Sequence, residues 1–474
     1  MTAPSADSRF DVAVVGCGPT GATLANLLAL LGVRVAVLDR EEQVYPLPRA
    51  VHFDDECMRV CQTVGIATAL ELRVRVNPGM RFVDSTGEVL LDWPRPTQAG
   101  PQGWHASYRL HQPDLESLLR DALTTQPTVT LHTGCRLLSL QQHEDGVALD
   151  TVSDATGHRQ LFARYVVGCD GARSTVRESL DVAYDDLGFA ERWLVVDLIL
   201  TRERPDLGDH TLQFCNPDQP ATYCRNPGHR RRWEFRLAAD IQDKAASQPQ
   251  AIWAKLAPWI TPRDAEIERC AVYTFRSTLA TDWRVGRALL AGDAAHLTPP
   301  FMGQGMCAGI RDAANLAWKL ARCVKEGAPT NTLDSYAAER QPHVRSYIET
   351  AVRLGGLVNS LDRERALAMA EAGTTTLASL SRRLGGIPAD AHPSTGALAA
   401  QPRLSDGRRL DDAVGYAPVQ LSQTPSSPPS RAGELAQFDG QAHPAIRRYL
   451  EQLGVKGITV RPDRYIDAVC EDEP

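Results

Sequence analysis

Apolar and polar positions alternate along this chain in two distinct rhythms. Phe10–Val15 is a short, nearly continuous apolar run, as expected of a strand buried on both faces of a parallel sheet. It predicts a strand, followed by a glycine-rich turn, a helix over about Thr20–Leu31 that Gly32 ends, and a second strand over Val33–Leu38. Helical periodicity returns at Asp54–Val64 and at Gln112–Leu123, where Leu115, Leu118, Leu119 and Ala122 form one apolar face. Alternating runs at Cys135–His143, Gly146–Ser153 and His158–Tyr165 are broken by Glu144–Gly146 and Asp154–Gly157, which predicts a three-stranded antiparallel meander. The last strand continues to Gly168 and delivers Asp170-Gly171 to a turn before a short helix near Ser174.

Beyond residue 180 the rhythm changes. Trp193–Leu200, Thr211–Cys215, Ala221–Arg225 and Arg232–Leu237 read as strands between Pro-, Asp- and Gly-containing turns, with a helix near Gln248–Trp259. This predicts an inserted, mainly antiparallel sheet. Arg287–Ala291 is again a buried strand, leading into Gly292-Asp293, a helix over Gly309–Glu326 and another over Thr332–Arg353. From Ala366 small and polar residues dominate, notably in the Pro/Ser-rich stretch Gln423–Gly433, before Pro444–Asp467 regains a helix–strand pattern.

At 474 residues the chain is too long for one core. Its 51 Lys+Arg against 58 Asp+Glu form no basic stripe, which argues against a nucleic-acid partner. The polar Met1–Arg9 segment predicts no signal peptide, and no apolar run is long enough to cross a bilayer, so a cytoplasmic protein without a membrane partner is expected. The eleven cysteines include no Cys-x-x-Cys pair. Cys57 and Cys61 stack on one helix face but lie poorly for a disulfide, so reduced buried thiols are expected. The twelve histidines show no ligand spacing, and no metal site is predicted.

The chemistry sits in two glycine turns. Gly16 permits a tight turn, Gly18 lets a pyrophosphate approach the backbone, and Gly21 allows close helix–strand packing, while Asp39 stands where a carboxylate accepts from ribose hydroxyls. That acid disfavours a 2′-phosphate, which leaves FAD or NAD as the nucleotide. The second stretch, Ala291–Gly305, carries Gly292, Asp293, Pro299, Gly303, Gln304 and Gly305 into a helix.

Together, Gly16-x-Gly18-x-x-Gly21, Cys169-Asp170-Gly171 and Gly292-Asp293-Ala294-Ala295-His296 with Pro299 resemble the class A flavoprotein monooxygenases of the para-hydroxybenzoate hydroxylase fold. Within that group, Pro48–Glu56, Thr298–Leu320 and Val460–Tyr465 are most similar to 3-(3-hydroxyphenyl)propionate hydroxylases and related phenol hydroxylases. The resemblance implies an α/β fold: a Rossmann-like FAD-binding domain of glutathione-reductase type, an inserted mixed, mainly antiparallel substrate sheet, and a C-terminal helical, abridged thioredoxin-like region. It allots 1–80, 105–180 and 275–355 to the first, 81–104 and 181–274 to the second, and 356–474 to the third.

For function it implies hydroxylation of an aromatic, phenolic ring by O2 through a flavin C4a-hydroperoxide, with FAD as cofactor and NADH or NADPH as transient co-substrate. It leaves a homodimer open. Gly16, Gly18 and Gly21 would hold the pyrophosphate, Asp39 with Arg40 the adenosine end, and Arg49 and Gln112 the phosphate and ribityl region. Asp170 and Gly171 would shape the shared cofactor surface, Asp293 after Gly292 would bind ribityl hydroxyl or phosphate groups, and Pro299–Gly305 would wrap the isoalloxazine.

His52 is the first candidate for the base that activates a phenol, with Tyr223 and Tyr108 behind it. A carboxylated substrate would want an arginine from Arg225, Arg230, Arg231, Arg232 or Arg236, although such clusters are often surface. One departure bears on this: Asn216–Pro220 carries Gln219 where phenylpropionate-type relatives carry arginine, which leaves nitrophenols, catechols and polycyclic phenols open. A non-oxygenating flavin reductase of the same fold is the alternative; a halogenase or a flavin-fold binding protein is weaker still.

Overall fold

A computed structural model describes residues 9–359, 368, 382–425 and 435–470. Its first sheet grows from the apolar run at the N-terminus. Arg9–Val15 lies between Gly157–Gly168 and Val35–Leu38, parallel to both, and the parallel order extends to Ala288–Leu290 on one side and Val129–His132 on the other. Val12, Ala13 and Val14 have no solvent exposure, which is why this strand alternates so little. Helices Pro19–Leu30 and Gly305–Ala321 pack against each other on the sheet. The predicted meander is present, with Cys135–Gln142, Val147–Ser153 and Gly157–Gly168 paired antiparallel in sequence.

The second sheet has eight strands. In spatial order they are His296–Leu297, Ala265–Ala280, Tyr184–Leu200, Arg230–Arg236, Ala221–Arg225, Thr211–Cys215, Gly79–Asp84 and Val89–Pro94. All neighbours are antiparallel except Thr211–Cys215 beside Gly79–Asp84. Its two faces are sorted by the period of two. Leu194, Val196, Tyr223, Trp233 and Phe235 face outward, under the helix Pro249–Leu256. Trp193, Phe82 and Cys215 face inward, onto Phe301 and Met302 of the Ala291–Gly305 stretch.

The C-terminal region forms a mixed four-stranded sheet, Ala436–Asp439, Val419–Ser422, Gly457–Val460 and Ile466–Cys470, with the helix Pro444–Leu453 packed on it. Buried polar links join it to the rest: Arg59 to Asp411 at 2.5 Å, Arg461 to Glu339 at 2.8 Å, and Tyr465 Oη to Glu56 at 2.7 Å. All eleven cysteines are free thiols. Among the described residues no helix is long and apolar enough to cross a membrane. Residues 426–433 of the Pro/Ser-rich stretch fall outside the described residues.

Several elements differ from expectation. The strand Ala265–Ala280 had no sequence assignment because charged and polar residues interrupt its alternation, yet it is the longest partner of Tyr184–Leu200. That partner itself begins nine residues before Trp193, in a polar segment with a register shift between Asp186 and Ala190. The helix expected from Gly309 starts at Gly305, where the Gln304 carbonyl accepts from the Ala308 amide, and it ends at Ala321 before a π-helical turn, Arg322–Glu326. His52–Asp54, Ser107–Arg109 and Arg75–Val76 form a further small sheet, too short to show periodicity.

Candidate active site

The first glycine turn is shaped by what lies against it. Gly16 has φ +97°, and a Cβ there would stand 2.5 Å from the Cys169 carbonyl oxygen, so the Gly16 and Asp170-Gly171 turns abut. A Cβ on Gly21 would run into the Gly16 carbonyl, which fixes how closely the helix sits on its strand. Gly18 is different: nothing lies within 4 Å of the position its Cβ would take. The helix Pro19–Leu30 starts there with no side-chain cap, leaving its first amides free at the positive end of the helix dipole. An open space faced by uncapped amides fits a pyrophosphate.

The second stretch meets the first at Thr20. A Cβ on Gly292 would lie 2.6 Å from Thr20 Oγ1, and one on Gly309 would clash with the same atom. Asp312 holds the Gly292 turn from behind. It accepts from the Gly292 amide at 3.1 Å, from His296 Nε2 at 2.7 Å and from Arg340 Nε at 2.9 Å. Burial would raise the Asp312 carboxyl, but His296 and Arg340 hold it below the usual carboxylate range. Asp293 is solvent-exposed although protein atoms surround it, which places it on the wall of a hollow. Burial among those atoms raises its pKa, against the fields of His296 and Arg49. An acid so placed fits sugar-alcohol hydroxyls.

Pro299 precedes a tight turn, Pro300–Met302, and Gly303 then adopts φ +62°. The seventeen-residue helix Gly305–Ala321 follows with no side-chain cap, so its N-terminal amides are open to an anion. Its N-cap residue, Gln304, turns its side chain inward to accept from Arg311 at 3.1 Å. Arg311 also binds Glu56 at 2.6 Å and Asp54, and so ties this helix to the residues after His52.

His52 is buried and committed at both nitrogens. Nδ1 lies 3.1 Å from the Gly303 carbonyl, which can only accept, so Nδ1 carries the proton. Nε2 then accepts from Ser107 Oγ at 2.7 Å, while Ser107 accepts from Asn77 Nδ2 at 2.9 Å. Burial, reinforced by Arg109, lowers the His52 pKa to about 4 and keeps the ring neutral.

The remaining sequence candidates divide. Asp39 accepts from the Cys17 amide at 2.8 Å, the Glu41 amide at 2.9 Å and Arg120 at 2.8 Å. With about four acceptor sites on a carboxylate, one is left for a ribose hydroxyl. Gln112 holds the Arg49 and Ala50 amides at 3.0 and 2.5 Å and donates to Glu116. It therefore shapes the Arg49 loop. Arg49 is exposed and close enough for its charge to reach Asp293. Arg40 is exposed and pairs with Glu41 at 3.2 Å. Asp170 accepts from Ser174 Oγ at 2.5 Å and the Val176 amide at 3.2 Å, so it braces the next helix, while Gly171 stands open at φ +83°.

Two tyrosine readings are corrected. Tyr223 pairs with Trp233 on the outward face of the sheet, away from Phe301, and burial pushes its hydroxyl up to about 12. Tyr108 is sealed against Phe53, with its oxygen accepting the His105 amide at 2.9 Å. The five roof arginines are also spoken for. Arg232 binds Asp197, Pro48 O and Arg49 O; Arg225 binds Asp209; Arg230 faces Glu268; Arg231 binds Gly228 O; and Arg236 faces Glu191. Sequence reasoning missed Asp312, Arg340, Ser107 and Arg109. For Asp312 the charges in Gly305–Ala321, a helix otherwise small and apolar, were the available signal, because such charges are buried only in pairs.

Residues 9–351 match a family model described as FAD binding domain. The chain belongs to that family. It is 45% identical over 348 residues to a probable NADH-specific resorcinol 4-hydroxylase of Rhodococcus jostii, covering 73% of this chain and 65% of that protein. It is 38% identical over 358 residues to a 3-(3-hydroxy-phenyl)propionate/3-hydroxycinnamic acid hydroxylase of Burkholderia cenocepacia, covering 75% of this chain and 65% of the relative. The chain thus spans just under two thirds of either relative's length. The flavin-dependent monooxygenase PieE, solved with FAD and substrate, superposes with a TM-score of 0.82 at 22% identity, over 99% of this chain and 97% of PieE. That likeness establishes the fold across the C-terminal sheet as well.

Proposed function

We propose that this chain is an FAD-dependent monooxygenase that uses NADH and O2 to hydroxylate a phenolic ring. The observation that carries the reading is the meeting of the two glycine turns at Thr20, which brings the open Gly18 turn, the Gly292-Asp293 turn and the uncapped helix Gly305–Ala321 together. Both relatives are named as hydroxylases of phenolic compounds, which supports the reaction class, and the Rhodococcus one is named NADH-specific, which supports the donor. Free thiols throughout and the absence of a membrane-length helix among the described residues favour the cytoplasm.

Each part of the chain has a task in this reading. Gly16, Gly18 and Gly21 with the helix Pro19–Leu30 bind the pyrophosphate, Asp39 the ribose, and Asp293 the ribityl hydroxyls. Bound FAD supplies electron transfer from nicotinamide to dioxygen. The open amides at Gly305 would favour negative charge on a ring bound beside them. Trp193 and Phe189 meet Phe301 edge-on at 5.6 Å and would help keep water from a flavin ring bound beside Gly303. We assign His52 the task of holding Gly303, because both of its nitrogens are occupied.

The test is the ratio of hydroxylated product to NADH consumed, across resorcinol, hydroxyphenylpropionate, nitrophenol and catechol. The reading expects a ratio near unity for at least one phenol. NADH oxidation that yields only peroxide with every phenol would replace it with the reductase alternative.

A further inference from the structure

The junction between the roof sheet and the Ala291–Gly305 stretch holds a buried cation with no ion-paired carboxylate among the described residues. Arg109 is only 5% exposed, yet its side chain makes no hydrogen bond or ion pair with any described residue. Buried guanidinium groups are normally answered by a carboxylate, since taking the charge out of water is costly. Elsewhere this protein follows that rule: Arg232 has Asp197 at 2.7 Å, Arg311 has Glu56 at 2.6 Å and Arg59 has Asp411 at 2.5 Å.

The placement of Arg109 is defined by register. It stands directly opposite His52 in an antiparallel pair, so both side chains project to the same side, where His52 meets Gly303. Its charge is felt at His52, and also at Cys224 and Glu234, which belong to the inward-facing set of the roof strands. Glu234 is turned to Arg232 at 3.8 Å and does not pair with Arg109. Arg95, whose guanidinium lies 3.8 Å from the Trp93 ring centre, stands nearby and likewise carries no ion pair among the described residues.

We propose that Arg109 is the receptor for an anionic oxygen of the aromatic substrate, a carboxylate or a phenolate, held beside Gly303 at the edge of the flavin hollow. The assignment rests on the hydroxylase reading and gives its substrate class a charge. A planar five-donor fork suits either oxygen group, and it supplies the cation that neither Gln219 nor the committed roof arginines can offer.

The test uses the FAD-loaded enzyme and three ligands: 3-(3-hydroxyphenyl)propionate, its primary amide, and resorcinol. Binding is followed by perturbation of the flavin spectrum and by calorimetry, so turnover is not required. Arg109→Gln should weaken the anion-bearing ligand by at least about tenfold, the loss expected for one charge-assisted hydrogen bond. Arg109→Lys should recover part of that affinity.

A loss confined to the propionate, sparing the amide, identifies a carboxylate. A loss on resorcinol that grows as pH ionises the phenol identifies a phenolate. The assignment is overturned if Arg109→Gln retains FAD and binds all three ligands as wild type does, or if it loses flavin while the remaining holoenzyme keeps full ligand affinity. Wild-type holoenzyme that binds no aromatic at all would instead overturn the hydroxylase reading, and this assignment with it.

Discussion

His52 donates from Nδ1 to the carbonyl oxygen of Gly303 at 3.1 Å, joining a loop near the N-terminus to the turn that opens the helix Gly305–Ala321. The contact is tight, for a Cβ on Gly303 would sit 2.9 Å from the His52 Cβ. The partner contact, Nε2 accepting from Ser107 Oγ at 2.7 Å, requires the neutral ring, so His52 carries a pH signature. The unfolded imidazole takes up a proton near pH 6.5, while the folded one does so only near 4. The unfolded chain therefore binds more protons across that window, and stability should fall as pH drops from about 6.5 towards about 4. His52→Gln should flatten this part of the stability curve, read from denaturant midpoints at successive pH values. It should also raise the fraction of NADH electrons lost to peroxide, by loosening Gly303.

Two glycines two residues apart should fail in different ways. Gly16→Ala forces a side chain at φ +97° into the Cys169 carbonyl, and should cost about 1–3 kcal/mol from backbone strain alone. Gly18→Ala points into open space, so it should fold with near wild-type stability and yet retain little FAD. Thermal melts of the apoproteins and flavin content after desalting separate the two. A Gly18→Ala protein with full flavin would remove that space from the cofactor site.

Asp312 touches three partners and is fully buried, so Asp312→Ala should strand Arg340 as an uncompensated charge and release the Gly292 turn. Removing one partner of a buried pair costs about 3–5 kcal/mol. Denaturant unfolding should show a loss of that order together with weaker FAD retention. Unchanged flavin affinity would mean that the Gly292-Asp293 turn needs no bracing.

How much of this was legible beforehand follows from the range of each interaction. The first strand, its glycine turn and the meander are written in local periodicity and turn residues, and they appeared where expected. The roles of Gly16 and Gly292 were legible as glycines, but not their causes, because Cys169 and Thr20 reach them through space. Tyr223 was misplaced for a similar reason. A strand pattern gives alternation but not which face meets the flavin, and Tyr223 shares its face with Leu194 and Phe235. Arg109 carried no sequence signal at all, since its lack of a partner among the described residues is a property of the assembled fold.

Glu339 predicts the acid limit of the link between the C-terminal sheet and the rest. It accepts from Lys319 at 2.9 Å, Arg461 at 2.8 Å and Asn315 at 2.7 Å. Burial alone would raise its pKa, but Arg461 and Lys319 bring it from 4.5 down to about 2. The stability it contributes is complete above about 4.5 and is lost as pH falls towards 2. Glu339→Gln should remove that acid-sensitive phase and leave Lys319 and Arg461 short of a counter-charge, which hydrogen exchange of the strand Gly457–Val460 would register. Exchange identical to wild type at both pH 7 and pH 3 would contradict the role given to Glu339.

The central claim is that one hollow holds a flavin and passes an oxygen atom from dioxygen to a phenol. Turnover of FAD-loaded enzyme with NADH and resorcinol under isotopically heavy dioxygen tests it most directly. The account predicts a dihydroxylated product heavier by one labelled oxygen atom, formed in step with NADH loss. Unlabelled product, or labelled peroxide with the phenol returned intact, would contradict it.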